Sequence, residues 1–333
     1  MAKTVNAAFD EFMKNSVNLD AERTEKARSS RDWLVEQILG FPSKDSDFPA
    51  TYNEKNIFFG SFARRTKKRE LDDIDMMIAL NGQGCTYSEY SDRIEINVPD
   101  SSQQFKKLCN DDASILNSKK LINLFVKNLK NVPQYDSANI KRNQEAATLK
   151  LLSYEWNFDV VPCFFTTEDH LGRTYYLIPD GNGNWKKTDP RLDRDRTNST
   201  NKLNKGIVLG VIRAAKYWNK RSTMPSMNSY LIENMILDYY ESNFCEASQF
   251  VDIELVKIFG DIKSRVYNAV NDPKNIQGNI NNLTWDEKVK ISSRASSDYE
   301  KAKEAMRLED EGKQEDSINK WKEIFGDNFP KYE

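Results

Sequence analysis

The stretch GSFARRTKKRELDDIDMM, residues 60–77, carries the pattern that decides the fold. It follows the short apolar run 57–59, which is bounded by Gly60 and therefore predicts a buried strand that ends in a tight turn. Residues two apart in a strand face the same side of a sheet. A second strand beginning at Asp73 would therefore present Asp73 and Asp75 on one side, while Ile74 enters the core.

Two carboxylates this close repel each other unless a cation lies between them, which indicates Mg²⁺, a hard ion that prefers oxygen ligands. Upstream, Gly60 lets the chain approach a phosphate group closely, and Ser61 adds a hydroxyl and a backbone N–H. A lone Gly-Ser turn or a lone Asp-x-Asp occurs by chance in many proteins, but their order and spacing here favour function.

A third carboxylate interrupts the apolar run WNFDVVP at residues 156–162. Because a buried charge needs a partner, Asp159 is predicted to lie on a neighbouring strand and to complete the metal site. The alternative is an ordinary carboxylate on an edge strand or in a turn.

Length and composition limit the architecture. A chain of 333 residues is too long for one small core, so two lobes or one large domain with helical additions are expected. Hydrophobic residues make up 38% and charged residues 30%, which is typical of a folded protein. The net charge of −2 gives no bulk attraction to nucleic acid, so strong DNA or RNA binding is not expected.

The sequence also predicts a compartment. No apolar run reaches the 18 or so residues of a spanning helix, and the first residues lack the pattern of a signal peptide, so a cytoplasmic protein without membrane contact is expected. The cysteines lie far apart with no CxxC pair, which indicates neither a zinc ribbon nor a disulfide framework. They are Cys85, Cys109, Cys163 and Cys245, and all are expected to be reduced core residues.

Periodicity predicts an α+β core followed by helices. Strands are expected at 57–59, 73–80, 93–98, 146–152 and 156–165, and helices within 5–39, at 105–129 and at 205–220. The Gly-, Asn- and Pro-rich stretch 179–204 is the expected connector between two lobes. A capping box at Thr284 and Glu287 predicts a long charged helix, and an apolar stripe near Trp321 predicts that the C-terminal helix packs back on the body.

Five basic residues follow the Gly60-Ser61 turn: Arg64, Arg65, Lys67, Lys68 and Arg69. They lie next to the predicted phosphate site and could assist substrate capture. The favoured interpretation is that most of this run is a solvated loop that balances the acidic residues nearby.

The motifs GSFARRT at 60–66, DDIDMM at 72–77 and FDVVP at 158–162 together resemble the DNA polymerase β-like nucleotidyltransferase superfamily. Within it, the chain is similar to the bacterial relatives of cyclic GMP-AMP synthase, the CD-NTases of anti-phage (CBASS) operons. Further similarity covers most of the chain: NWKKTDP at 184–190, KYWNK at 216–220, Ser229-Tyr230 with Glu233, and WKEIFG at 321–326.

The resemblance implies a nucleotidyltransferase core, a mixed sheet with flanking helices, and a C-terminal helical lobe, with the active site in the cleft between them. The implied division is a core with N-terminal helices at 1–200 and a helical domain at 201–333. It implies that Asp73, Asp75 and Asp159 are catalytic and bind two Mg²⁺ ions, with Mn²⁺ as an alternative.

Nucleotide-binding roles are carried over in the same way. The resemblance assigns the triphosphate to the Gly60-Ser61 turn and to Lys216, and contacts with phosphate and base to Ser229 and Tyr230. For two of these the residue type alone allows a structural alternative: Lys216 as a solvated helix residue and Tyr230 as a core aromatic.

The implied activity is synthesis of a cyclic di- or trinucleotide from nucleoside triphosphates with release of pyrophosphate, in anti-phage defence. The implied substrates are ATP and either GTP or a pyrimidine triphosphate, and an accessory regulatory protein from the same operon is an expected partner. The DNA-activated animal members of the family carry a zinc module, for which this chain has no cysteine spacing, so activation by DNA is not expected.

Two alternatives remain open. One is an enzyme of the same fold that acts on another acceptor, such as an RNA end or a small molecule. The other is a catalytically inactive, antitoxin-like binding module, against which the three intact aspartates speak.

Overall fold

The computed structural model describes residues 2–111, 113–243 and 246–333. In it the chain forms two units, which we call the sheet unit and the helical unit. The sheet unit comprises Glu22–Ala63 and Leu71–Arg191, and the helical unit comprises Met1–Ala21, Arg64–Glu70 and Leu192–Glu333. The segment Arg64–Glu70, inserted between two parts of the sheet unit, therefore belongs to the helical unit.

The sheet is mixed. Its strands are β1 (Ile57–Phe59), β2 (Asp73–Ala79), β3 (Thr86–Glu89), β4 (Ile94–Asn97), β5 (Asn139–Asn143), β6 (Ala146–Lys150), β7 (Asn157–Phe165), β8 (Tyr176–Pro179) and β9 (Trp185–Thr188). They follow the order β1-β2-β7-β8-β9-β4-β3, and β6 pairs with both β5 and β7. Strands β2 and β7 are parallel and the remaining pairs are antiparallel.

Helices occur in both units. They are α1 (Val5–Phe12), α2 (Ala21–Leu39), α3 (Phe41–Lys44), α4 (Gly60–Ala63), α5 (Gln103–Lys106), α6 (Ser118–Lys130), α7 (Pro190–Leu203), α8 (Val208–Asn219), α9 (Ser229–Ser242), α10 (Val251–Arg265), α11 (Trp285–Asp310) and α12 (Gln314–Phe325). None of the helices in the described residues is long and apolar enough to cross a membrane.

The burial pattern explains the strands at the centre of the sheet. In β2 Ile74, the one residue between the two aspartates, is buried, and from Met76 to Ala79 every residue is buried because both faces of the sheet are covered. Helix α6 packs against β5, β6 and β7 through an apolar face that includes Leu121 and Phe125. The predicted strands at 57–59, 73–80, 93–98, 146–152 and 156–165 are confirmed.

An aromatic cluster holds the helical unit together. The ring of Phe9 in α1 lies 4.9 Å from that of Trp321 in α12, and the ring of Phe12 lies 4.8 Å from that of Phe325. The first contact is edge-on and the second tilted, and aromatic pairs in such offset arrangements add stability beyond the apolar area they bury. The C-terminal helix thus packs on α1 as well as on α8 and α11.

The two units divide the chain differently from the predicted 1–200 and 201–333. Residues 1–21 belong to the helical unit because the apolar face of α1 finds its partners in α12, and the last boundary lies at Arg191 and Leu192. The capping box at Thr284 and Glu287 is confirmed.

One predicted segment is wrong in detail and another is more ordered than its composition suggests. The helix expected at 105–129 is broken between α5 and α6, because the side chain of Asn117 accepts hydrogen bonds from the N–H groups of Lys119 and Lys120 and caps a new helix. The stretch 179–204 does contain a boundary between the two units, but it is built of β9 and α7, and Trp185 in β9 is fully buried.

The cysteines are free thiols where the structure describes them. Cys109 and Cys163 are buried and Cys85 is half-buried. Burial raises the pKa of all three thiols above the ordinary value, with the Cys109 thiolate a further cause at Cys85. Cys245 lies outside the described residues.

Candidate active site

The predicted carboxylates lie on one face of the sheet. In the parallel pairing of β2 with β7, Asp75 is directly opposite Asp159, and Asp73 is directly opposite Asn157. Residues opposite each other on neighbouring strands point to the same face, with about 4.8 Å between the strands. The three aspartates, predicted from the sequence as a set, are therefore placed on one face by the strand register, and each is partly exposed.

A neighbouring strand extends this polar face. In the antiparallel pairing of β6 with β7, Thr148 is opposite Asp159, and its hydroxyl donates a hydrogen bond of 2.6 Å to Oδ1 of Asp159. Hydrogen bonds to an ionised acceptor are shorter and stronger than neutral ones. Thr148 thus fixes the orientation of the Asp159 carboxylate. We call Asp73, Asp75, Thr148, Asn157 and Asp159 the carboxylate face.

The turn after β1 lies against this face. Gly60 has a positive φ of 71°, which disfavours any residue with a Cβ, and it opens the four-residue helix α4 that contains Ser61. A Cβ atom at Gly60 would lie 1.8 Å from Oδ2 of Asp75. Glycine is therefore required both for the backbone conformation and for the close approach of the Asp75 carboxylate.

The donor set of the carboxylate face fits a hard divalent cation. It offers three carboxylates and the side-chain amide oxygen of Asn157, which is buried and accepts no hydrogen bond from any residue that the structure describes. As placed, no three His, Cys, Asp or Glu side chains in residues 2–111, 113–243 and 246–333 are grouped closely enough to hold one metal ion. Carboxylates change position by rotation of side-chain torsions, so metal binding by Asp73, Asp75 and Asp159 stays a prediction.

A cavity of about 550 Å³ lies elsewhere in the sheet unit. It is lined by apolar residues such as Phe164 and Leu177 and by the Gly82–Gly84 loop. The Gly82–Gly84 loop follows the C-terminal end of β2 and Phe164 lies near the C-terminal end of β7, whereas Asp73 and Asp159 lie near the N-terminal ends. This cavity is therefore not part of the carboxylate face.

The remaining predicted nucleotide ligands, Lys216, Ser229 and Tyr230, lie in the helical unit. Lys216 in α8 is not a solvated helix residue, because its side chain is 4% exposed. Its ammonium group donates hydrogen bonds of 2.6 Å to Oε2 of Glu233 and of 3.3 Å to both the hydroxyl and the carbonyl oxygen of Thr66.

Glu233 in α9 is the centre of this cluster and is 1% exposed. Besides Lys216, it accepts hydrogen bonds from Nε of Arg64 at 2.6 Å and from the hydroxyl of Thr66 at 2.9 Å. The interpretation of the basic run as a solvated loop is therefore wrong for Arg64, which the sequence could not show to have a buried partner. We call Arg64, Thr66, Lys216 and Glu233 the Glu233 cluster.

The Glu233 cluster contains two cationic side chains and one carboxylate. Burial by itself would raise the pKa of Glu233, but the charges of Lys216 and Arg64 and their hydrogen bonds outweigh it and lower this pKa to about 2. Burial lowers the pKa of Lys216. The attraction of Glu233, which is shared with Arg64, does not offset the effect of burial, and the charge of Arg64 lowers this pKa further. The assignment of Lys216 to the triphosphate stays a prediction, and its three N–H donors are already engaged.

Tyr230 is also held by neighbours in the helical unit. Its hydroxyl donates to Oδ1 of Asp193 at 2.6 Å and accepts from Lys274, whose ammonium group lies 4.4 Å from the centre of the ring. Burial, and next the Asp193 charge, raise the pKa of Tyr230. Ser229 is exposed at the start of α9, where Asn228 caps the helix. Nucleotide contacts of Ser229 and Tyr230 stay predictions.

Sequence reasoning missed two residues of the carboxylate face, Thr148 and Asn157. For Asn157 a signal exists, because it lies two residues before Asp159 in a strand and must share its face. For Thr148 no signal exists, since its position opposite Asp159 depends on the pairing of β6 with β7.

Comparison with known proteins gives a consistent result. The chain is 47% identical, over 334 aligned residues covering 100% of both proteins, to a probable cyclic nucleotide synthase of Bacillus cereus strain VD146. It is 22% identical over 282 residues, 82% of this chain and 77% of the relative, to the cyclic AMP-AMP-AMP synthase of Escherichia coli strain MS 115-1. No protein-family model matches.

Solved structures share the fold. E. coli MS115-1 CdnC, determined in a complex with HORMA-deltaN and also with ATP, superposes with a TM-score of 0.70 in both cases. Sequence identity is 16% and 17%, and each comparison covers 98% of both chains. The predicted α+β nucleotidyltransferase fold is confirmed.

Proposed function

The chain belongs to the CD-NTase family of cyclic nucleotide synthases, and on this premise we propose that it joins nucleoside triphosphates into a cyclic di- or trinucleotide and releases pyrophosphate. The observation that carries the proposal to this site is the register that sets Asp75 opposite Asp159, beside the turn at Gly60. Pairs of carboxylates at a glycine turn are suited to phosphoryl transfer, because carboxylates can hold the divalent cations that neutralise charge on the phosphates.

Asp73, Asp75 and Asp159 would hold two Mg²⁺ ions, or Mn²⁺ in their place. When bound, these ions would lower the pKa of an acceptor ribose hydroxyl and neutralise charge on the triphosphate. Each round forms a bond between the ribose oxygen and the α-phosphorus and breaks the bond to pyrophosphate. A last round between the two ends of the same product closes the ring.

The protein's own residues bind and orient the reactants. In the proposal, Asp159 accepts the proton of the ribose hydroxyl through Oδ2, because Thr148 already donates to Oδ1. The Gly60-Ser61 turn binds the triphosphate, with the Ser61 hydroxyl as a donor to a phosphate oxygen. Fixing the Asp159 carboxylate before the substrate binds lowers the entropic cost of the proton transfer.

ATP is the proposed first substrate, and GTP or a pyrimidine triphosphate is the proposed second one. The names of the relatives support ATP, since one is a cyclic AMP-AMP-AMP synthase and CdnC was determined with ATP. The complex of CdnC with HORMA-deltaN supports an accessory regulatory protein, which we propose is encoded in the same operon. A cytoplasmic location and a role in anti-phage defence complete the proposal.

The test is to incubate the purified protein with the four nucleoside triphosphates and Mg²⁺ or Mn²⁺, with no added acceptor, both alone and with the protein of the neighbouring gene. A phosphatase-resistant oligonucleotide of cyclic mass, identified by mass spectrometry, is the expected product. Asp73→Ala and Asp75→Ala are expected to stop pyrophosphate release while the circular dichroism spectrum stays that of the wild type.

Two outcomes would support the alternatives. Nucleotide transfer only when an RNA end or a small-molecule acceptor is supplied would identify an enzyme of the same fold with another acceptor. No metal-dependent consumption of triphosphate under any condition would indicate the inactive binding module. Near-normal turnover in either aspartate variant would contradict the assignment of the site.

A further inference from the structure

We propose that Asn157 is a further cation-binding residue of the carboxylate face, with its side-chain amide oxygen as a neutral ligand for the divalent ion, direct or through one bound water. The proposal rests on the proposed function, because it extends the same metal site. It starts from an oxygen atom that the fold buries without a hydrogen-bond donor.

The unpaired atom is Oδ1 of Asn157. It is buried from solvent, and no donor in the part of the chain that the structure describes lies within hydrogen-bonding distance of it. Folded proteins satisfy the great majority of buried side-chain polar atoms, and an exception calls for an explanation such as an ion or a catalytic role.

The neighbours of Asn157 on the sheet explain why the atom lacks a protein donor. Asp73 is opposite it on β2, and Asp159 is two residues further along β7 on the same face. Ionised carboxylates only accept hydrogen bonds, so neither can satisfy an amide oxygen. An acceptor placed among acceptors is satisfied by a cation or by a water molecule, and the carboxylates beside this one favour a cation.

On the other side, β6 places Lys150 opposite Asn157. Lys150 is exposed, and its ammonium group does not donate to Asn157 in the described structure. Lys150 is therefore a suitable control, since it is the cross-strand neighbour of Asn157 but has no oxygen atom in its side chain.

The chemistry of the ligand matches the ion. Mg²⁺ demands near-octahedral oxygen coordination and keeps waters in its shell, and hard cations accept side-chain amide oxygens alongside carboxylates. A neutral oxygen adds a ligand without adding to the repulsion among Asp73, Asp75 and Asp159. Groups that hold or orient metal ligands change metal affinity by about 10- to 100-fold when they are removed.

The experiment measures Mn²⁺ binding directly, by electron paramagnetic resonance of the free ion, in the full chain without nucleotide. Asn157→Leu removes the oxygen and keeps the number and branching of the side-chain heavy atoms, and we expect it to raise the Kd for Mn²⁺ about tenfold. Its Tm should equal or exceed that of the wild type, because an unsatisfied buried group is lost. Asn157→Asp keeps an oxygen at this place and should bind Mn²⁺ at least as tightly as the wild type.

Lys150→Met is the matched control and should leave the Kd for Mn²⁺ within about twofold, while Asp75→Asn, the reference, should lose Mn²⁺ binding. Three results would overturn the proposal while leaving the proposed function intact: unchanged Mn²⁺ affinity in Asn157→Leu, weaker binding in Asn157→Asp, or a loss in Lys150→Met equal to that in Asn157→Leu. A fourth result, a lower Tm in Asn157→Leu, would also overturn the proposal, because it would show that the amide stabilises the fold. Unchanged Mn²⁺ binding in Asp75→Asn would instead contradict the metal site itself.

Discussion

The Glu233 cluster and the carboxylate face both bring ionisable side chains out of full contact with water, but they differ in how those side chains are satisfied. In the Glu233 cluster one carboxylate accepts hydrogen bonds from Arg64, Thr66 and Lys216, and the exposed fraction of its side chain is 1%. On the carboxylate face the aspartates stay partly exposed, and the buried oxygen of Asn157 has no donor in the described residues.

This difference separates stability from function. Breaking a buried ion pair by removing one partner is strongly destabilising, because the other partner stays buried and charged. An unsatisfied polar group, by contrast, costs stability in the free protein and is retained where a ligand uses it. We therefore expect substitutions in the Glu233 cluster to change unfolding, and substitutions on the carboxylate face to change catalysis.

The largest effect on stability is expected for Glu233→Gln. The substitution leaves Arg64 and Lys216 buried without a counter-charge, so the free energy of unfolding should fall by about 3–5 kcal/mol. Urea titration followed by circular dichroism measures it. The control is Glu304→Gln, which breaks the exposed pair with Arg307 and should cost less than about 1 kcal/mol. Equal losses in both variants would contradict the structural role of the cluster.

A second test uses acid. The pKa of Glu233 is lowered from the ordinary 4.5 to about 2, so its ionised form is favoured by folding and contributes stability above pH 4.5. That contribution, about 3 kcal/mol, is lost as the pH falls from 4.5 to 2. The difference between the free energies of unfolding at pH 6 and at pH 3 should therefore be smaller in Glu233→Gln than in the wild type. An identical pH dependence in both proteins would show that Glu233 has an ordinary pKa.

On the carboxylate face, Gly60→Ala should impair catalysis more than stability. The new Cβ would meet Oδ2 of Asp75 at 1.8 Å and displace the carboxylate, and a misplacement of about 1 Å in an active site can lower the rate about 100-fold. The matched control is Gly172→Ala, which has the same φ of 71° but no atom near its Cβ. Both should lose about 1–2 kcal/mol of stability through backbone strain, and only Gly60→Ala should lose activity in a pyrophosphate-release assay.

The smallest effect is expected for Thr148→Val, which removes the hydrogen bond to Asp159 and keeps the shape of the side chain. The loss of about 1 kcal/mol should lower kcat by roughly fivefold without changing KM for ATP, because Asp159 is less well oriented rather than absent. Thr86→Val, at an exposed position of β3, is the control and should keep the wild-type kcat. A change in KM alone would instead indicate a substrate contact.

Much of the carboxylate face could be predicted from the sequence. The pattern of Asp73, Ile74 and Asp75 has the period of a strand, and Asp159 is visible as a charge in an apolar run. These signals are local, and so they survive without knowledge of the fold. Asn157 and Thr148 carry no charge. Alternation along the strand puts Asn157 on the face of Asp159, but only the strand register sets Asn157 opposite Asp73 and Thr148 opposite Asp159.

The helical unit was harder to predict. The sequence shows Arg64 in a basic run and Lys216 on a basic helix face, and both patterns are typical of solvated residues. Their burial depends on Glu233, which lies 169 residues from Arg64 and 17 residues from Lys216. Similarly, the apolar face of α1 indicates a helix that packs, but not that its partners Trp321 and Phe325 come from the other end of the chain.

The sequence by itself determined the strand that carries the Asp-x-Asp pair, the glycine turn before it and the third carboxylate, because side-chain alternation and turn chemistry are properties of neighbouring residues. The tertiary structure alone decided that Asp75 faces Asp159, that Thr148 orients it, and that Arg64 and Lys216 share one buried carboxylate. Those choices depend on which distant segments pack together, and that is set by the burial of apolar surface over the whole chain.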